Sequence, residues 1–202
     1  MAAPNTNGKL RVLGVDPAVA GATGFAVVEV DAASKARSLR FGALKLPARA
    51  SFAARLFDIH KLIAGLVEEY SPDALAVESV FTSLNMRTAL KLAEIRGVVL
   101  LAAAQAKVPA HSYSPREVKA SIAGYGAATK QQMQQMVSVQ LGLAEWPEPP
   151  DAADALAVAL CHAHAALAQA RMAAAMAPRR STPEQAPALR SQPRHSRIEL
   201  LR

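Results

Sequence analysis

The sequence has one cysteine, Cys161, among 202 residues. A lone thiol excludes an intrachain disulfide framework and any zinc site built from several cysteines, and it fits a reducing compartment. Aromatic residues make up only 4% of the chain, so any core rests on aliphatic side chains. No apolar run approaches the roughly 20 residues of a membrane span; Val98–Ala104 is among the longest. Met1 to Lys9 is polar and has no apolar centre, so no secretory leader is expected. These absences describe a soluble, cytoplasmic protein with no membrane contact. Acidic residues are also in the minority. The net charge is +7, and six Arg against two Glu in residues 178–202 supply +4 of it. The stretch Ser79–Ala144 adds Arg87, Lys91, Arg96, Lys107, Arg116, Lys119 and Lys130 against only Glu94 and Glu117. A basic middle and a basic tail suit a polyanionic partner.

What the sequence does contain is 51% hydrophobic residues, enough for one domain with a real core. Leu10–Asp16 is an apolar run that ends in an acid and is stopped by Pro17, which reads as a buried strand. Thr23–Val30 follows closely enough to form an antiparallel hairpin with it, and Ser38–Leu46 reads as a third strand. Ser51–Tyr70 carries an apolar stripe at three- and four-residue spacing, with Ser51 as its cap. Ala74–Val80 is a strand that is apolar until Glu78. A helix spans about Met86–Gln105, and Val108–Tyr113 is a fifth strand. Ser114-Pro115-Arg116-Glu117 and Thr129-Lys130-Gln131-Gln132 are capping boxes that open two helices. Asp151 opens an alanine-rich helix to about Ala177. This order predicts an α/β domain over residues 9–177: a mixed five-stranded sheet, antiparallel first and parallel later, with helices on both faces. Residues 1–8 and 178–202 lack the apolar content to pack and are expected to be disordered.

Asp16 and Glu78 sit at the carboxyl ends of strands, where open α/β sheets place their ligands. Asp151 and Asp154 share a face at the mouth of the last helix. Asp151 there could equally be a helix cap. Four convergent acids repel one another unless a cation neutralises them, and Mg²⁺ bridges such carboxylates to phosphate. His162 and His164 lie further along the same helix and are open between supporting the acids and simple packing.

The chain resembles the RuvC Holliday-junction resolvases, which have the ribonuclease-H-like fold. The resemblance runs from Leu10 to about Ala165. It is carried by Leu13-Gly14-Val15-Asp16-Pro17 with Thr23-Gly24-Phe25, and by Ala76-Val77-Glu78-Ser79-Val80-Phe81 with Asn85 and Ala89–Leu92. Val118-Lys119, Gly124–Lys130 and Asp151–Ala157 complete it. It implies that Asp16, Glu78, Asp151 and Asp154 are catalytic acids binding two Mg²⁺ ions, with Mn²⁺ as the alternative. It implies that Lys119 and Lys130 contact DNA, and that Phe81 stacks on a base at the crossover. Arg87, in the basic middle, joins them as a DNA contact. The implied activity is resolution of four-way junctions by paired nicks leaving 5′-phosphate and 3′-hydroxyl ends. The implied assembly is a homodimer working with a branch-migration complex of the RuvA–RuvB type. One departure stands beside the acids: Ala18 replaces the family's glycine, and five residues rather than four separate Asp16-Pro17 from Thr23-Gly24. Two other readings stay open, a junction-binding protein of weak catalytic power and a related nuclease acting on RNA or RNA–DNA hybrids.

Overall fold

The computed structural model describes residues 8–19, 21–45, 47, 49–79 and 85–176. Five strands form one sheet: β1 (Lys9–Asp16), β2 (Thr23–Asp31), β3 (Ala36–Leu44), β4 (Ala74–Glu78) and β5 (Ala110–Tyr113), in the order β3-β2-β1-β4-β5. β1 pairs antiparallel with β2 and parallel with β4. β2–β3 is antiparallel and β4–β5 parallel. The mixed sheet expected from the element order is therefore present. β1 lies at its centre, buried on both faces, which is why it reads as an unbroken apolar run.

Side chains alternate across the sheet and build two half-cores. Leu13, Val15, Val27, Leu75 and Val77 face α1 (Phe52–Tyr70) and α2 (Met86–Gln105). Val12, Ala26, Val28 and Ala76 face α3 (Pro115–Ala123), α4 (Lys130–Leu141) and α5 (Pro150–Met176). The stripe read along α1 is the one it buries, through Ile59, Ile63, Leu66 and Val67. Each such side chain contributes at most about 1.5–3 kcal/mol. α5 is different, because Ala152, Ala153 and Ala155 to Ala163 are all buried. A helix that is apolar all round belongs inside a fold, and its small alanines let it lie close to the sheet.

Several ends differ from the sequence reading. β3 runs over Ala36–Leu44 rather than 38–46, and β4 ends at Glu78 rather than Val80, which is outside the described residues. β5 begins at Ala110 rather than Val108. There the chain still turns out of α2: Lys107 has φ 60° and Val108 N–H donates to the Ala103 carbonyl at 2.9 Å. α5 begins at Pro150, so Asp151 is inside its first turn and not at the cap position. Ser51, Ser114 and Thr129 cap their helices as read, the last two with complete capping boxes.

Away from the carboxyl ends of β1 and β4, the hairpin is fastened by one buried acid. Glu29, only 3% exposed, accepts from Arg11 Nε at 2.9 Å, Lys9 Nζ at 3.0 Å and Arg37 Nη2 at 2.6 Å. Burial alone would raise its pKa; the hydrogen bonds from Arg11, Lys9 and Arg37 outweigh it and hold the group at about 2, against an ordinary 4.5. A depressed folded pKa stabilises the fold above pH 4.5, and that contribution is lost as pH falls toward 2. Because the three cations are partly exposed, we expect Glu29→Gln to cost on the order of 1–2 kcal/mol at pH 7. Denaturant melts of the two proteins should converge as pH drops from 4.5 to 2.

A candidate active site of four carboxylates

β1 and β4 run side by side, with Val15 opposite Val77, so the next residues along each strand are Asp16 and Glu78. Alternation turns both side chains toward the α5 face. Pro17 then ends β1. The loop that carries the Ala18 departure is tied down by Arg55 Nη1, which donates to the Val19 carbonyl at 2.6 Å, and Gly21 supplies the left-handed turn at φ 94°.

α5 brings the other two acids to the same place, and two glycines let it do so. A Cβ on Gly14 would stand 2.2 Å from the Ala155 carbonyl oxygen, and one on Gly24 would stand 2.0 Å from that of Asp151. Gly24 is the ladder partner of Asp16. The first turns of α5 therefore press directly on the backbone of β1 and β2, and Asp151 and Asp154 face Asp16. In the sequence the signal for this role of Gly14 and Gly24 is only that of an isolated glycine inside a strand pattern.

The electrostatics follow from this crowding. Burial, then the charge and hydrogen bond of Glu78, then the charges of Asp154 and Asp151, push Asp16 up to about 9. Burial also raises Glu78, and Asp154 adds to it, while the hydrogen bond from Asp16 and the charge of Lys119 pull it down. The crowding thus favours the protonated form of Asp16, hydrogen-bonded to Glu78. Beside them is a cleft of about 240 Å³, with Glu78, Lys119, Lys130 and Asp154 as its polar wall and Val118, Met133, Ala157 and Val158 among its apolar lining. Lys130 Nζ donates to Asp154 Oδ2 at 3.0 Å.

Among the described residues, no three His, Cys, Asp or Glu side chains converge to cage one ion. Asp16 bonds to Glu78 and feels the charges of Asp154 and Asp151, while Asp154 is bonded by Lys130. That donor set fits Mg²⁺, which keeps several waters and takes one or two carboxylates together with substrate phosphate.

The remaining candidates separate clearly. Lys119 and Lys130 line the cleft. Arg87 is exposed in the first turn of α2 and is not part of the cleft lining, and Phe81 lies outside the described residues. His162 is buried at 3% exposure, 2.8 Å from Tyr113 Oη through Nδ1, and stacks on His111 with centroids 4.5 Å apart. Burial, then His111, lowers it to about 4. His164 pairs with Ser121 Oγ at 3.1 Å and is lowered by burial. Both histidines bond to neighbouring side chains and neither to the four acids. Tyr113, the last residue of β5, pairs with Glu78 across the β4–β5 ladder, and its carbonyl accepts from Ser79 N–H at 2.9 Å and Ser79 Oγ at 3.2 Å. It helps to fix the strand that carries Glu78.

Acids at the ends of adjacent parallel strands, closed over by a helix carrying two more, are the arrangement expected of a nuclease of the ribonuclease-H-like fold. Comparison with known proteins narrows this class. A family model described as "Crossover junction endodeoxyribonuclease RuvC" matches residues 12–162. The Crossover junction endodeoxyribonuclease RuvC of Syntrophomonas wolfei is 43% identical over 155 residues, 77% of this chain and 89% of that protein. The Chloroflexus aurantiacus protein of the same name is 46% identical over 157 residues, 78% and 94% of the two chains. The solved structure of Thermus thermophilus RuvC in complex with Holliday junction substrate superposes with a TM-score of 0.75 at 38% identity, covering 79% of this chain and 96% of that one. The chain belongs to the RuvC family of crossover junction endodeoxyribonucleases.

Proposed function

We propose that Asp16, Glu78, Asp151 and Asp154 make this chain a metal-dependent resolvase of four-way DNA junctions, in recombination and repair. The observation that carries this reading is geometric: Asp16 and Glu78 end adjacent parallel strands, and the start of α5, which carries Asp151 and Asp154, is pressed against the backbone beside them, a charge arrangement that a divalent cation relieves. Asp16 would sit between two ions, with Glu78, Asp151 and Asp154 and substrate phosphate completing their shells; Mg²⁺ is the first candidate and Mn²⁺ the alternative. When bound, such ions supply Lewis acidity to the attacking water and to the departing 3′-oxygen. Carboxylates bind such a cation in their ionised form, so its affinity would rise with pH.

The other residues position DNA. Lys119 and Lys130 hold phosphates beside the acids, which gives affinity and register but no sequence information. Phe81, three residues beyond Glu78, stacks on a base unpaired at the crossover, a contact worth roughly 1–3 kcal/mol. Arg87 and the six arginines of residues 178–202 meet phosphates further out. Two symmetric nicks require a two-fold homodimer. The exposed row Met86, Leu90 and Leu101 on α2 supports this, since it offers a second copy an apolar face. A branch-migration complex of the RuvA–RuvB type supplies the junction, in the cytoplasm. No helix among the described residues is long and apolar enough to cross a membrane.

A panel of labelled substrates tests the reading against its competitors. Four-way junctions should be nicked with Mg²⁺ while linear duplex and RNA–DNA hybrid stay intact. Preferential cutting of the hybrid would move the chain to a different nuclease activity. Tight junction binding with no nicking in either metal would reduce it to a binding protein.

A further inference from the structure

We propose that Lys130 is a latch on Asp154: it occupies this acid in the free protein and must be displaced for a divalent cation to bind there. The inference rests on the metal-dependent reading of the site. Lys130 is the first residue of α4, and its backbone is held by the Thr129 capping box, in which Gln132 N–H donates to Thr129 Oγ1 at 3.2 Å and Thr129 N–H to Gln132 Oε1 at 2.9 Å. From that anchored base the side chain crosses the cleft to Asp154 Oδ2 at 3.0 Å. An ammonium there fills a lone-pair direction that a cation would use, and its charge opposes a second positive charge. The pair is only half-exposed on the lysine side and one-third exposed on the acid side, so the latch is weak enough to open.

Phosphate gives Lys130 another partner. A DNA phosphate entering the cleft draws the ammonium off Asp154 and vacates the acid for the cation. By linkage, the cation in turn frees Lys130 for phosphate. The free protein therefore keeps Asp154 partly neutralised, and phosphate and cation each favour the binding of the other by the same small factor.

The test is calorimetric titration of Mn²⁺ into the full chain without DNA. Lys130→Gln should bind Mn²⁺ roughly two- to fivefold more tightly than wild type, the range open to a partly exposed ion pair. Lys130→Arg, which can keep the pair, should stay near wild type. Lys119→Gln removes the same charge from the cleft without touching Asp154 and should gain clearly less. Equal gains in the lysine-to-glutamine variants at 119 and 130 would show a general charge effect and overturn the latch, as would an unchanged Lys130→Gln. If wild type binds no Mn²⁺ and shows no metal-dependent nicking, the metal reading itself fails. If it does both and only the latch comparison fails, the metal reading stands.

Discussion

Asp16→Asn should reduce junction cleavage by about 10³-fold or more while leaving the protein folded and junction-binding. Asn keeps the shape of the side chain and removes the one charge that both cation positions share. Losing about 4 kcal/mol of transition-state stabilisation is enough for that rate effect. Binding should persist or tighten, because one fewer carboxylate opposes the phosphate. Stability should move the other way from activity. Asp16 has a raised folded pKa, so the native state binds its proton more tightly than the unfolded chain does. The carboxyl therefore costs increasing stability as pH climbs from 3.8 toward 9. Asn cannot ionise and can still donate to Glu78, so the variant should melt higher than wild type at pH 8. Mg²⁺ should raise the melting temperature of wild type and have much less effect on the variant. A variant that nicks junctions near the wild-type rate would remove Asp16 from the centre of the site.

Gly24→Ala should damage both fold and site although it adds a single methyl group. Its Cβ would sit 2.0 Å from the Asp151 carbonyl oxygen and 2.7 Å from the carbonyl carbon. Those are backbone atoms, so no rotamer change relieves the clash. The first turn of α5 must lift from β2, carrying Asp151 and Asp154 away from Asp16. Overpacking of this kind costs roughly 1–3 kcal/mol, and misplacing reacting groups by about 1 Å can cost on the order of 10²-fold in rate. Gly65, in the middle of α1, is the internal control. A Cβ there meets nothing within 4 Å, so Gly65→Ala should be neutral or stabilise by about 0.5–1 kcal/mol. If Gly24→Ala kept wild-type stability and cleavage, the close approach of α5 would not be what assembles the site.

Which parts of this arrangement could be read from residues alone follows from the range of the forces involved. Asp16 alone is ambiguous as a local pattern, because Asp-Pro also opens turns; the repetition of the placement at Glu78, with Asp151 and Asp154, is what makes the acids candidates. The caps of α3 and α4 are equally local, since Ser114 with Glu117 and Thr129 with Gln132 satisfy backbone donors within one turn. Asp151 stays open between ligand and cap in the sequence for the same reason, since a helix-opening Asp often caps; Pro150 takes the first helical position and places Asp151 in the first turn. The approach of Gly14 and Gly24 to α5 joins residues more than a hundred positions apart in sequence, and nothing nearby encodes it. Neither does the reach of Lys130 to Asp154, nor the enclosure of His162 by His111 and Tyr113. Strand ends shifted by up to two residues because pairing partners, not propensity, decide where a ladder stops.

The most direct test of the central claim is to map the products of a synthetic four-way junction, labelled on each strand in turn, with and without Mg²⁺. The four-carboxylate account predicts nicks at symmetric positions in two opposing strands, ends that DNA ligase reseals without further treatment, and complete loss of product in EDTA. Nicking that continues in EDTA, or that appears unchanged when all of Asp16, Glu78 and Asp154 are replaced by their amides, would contradict it.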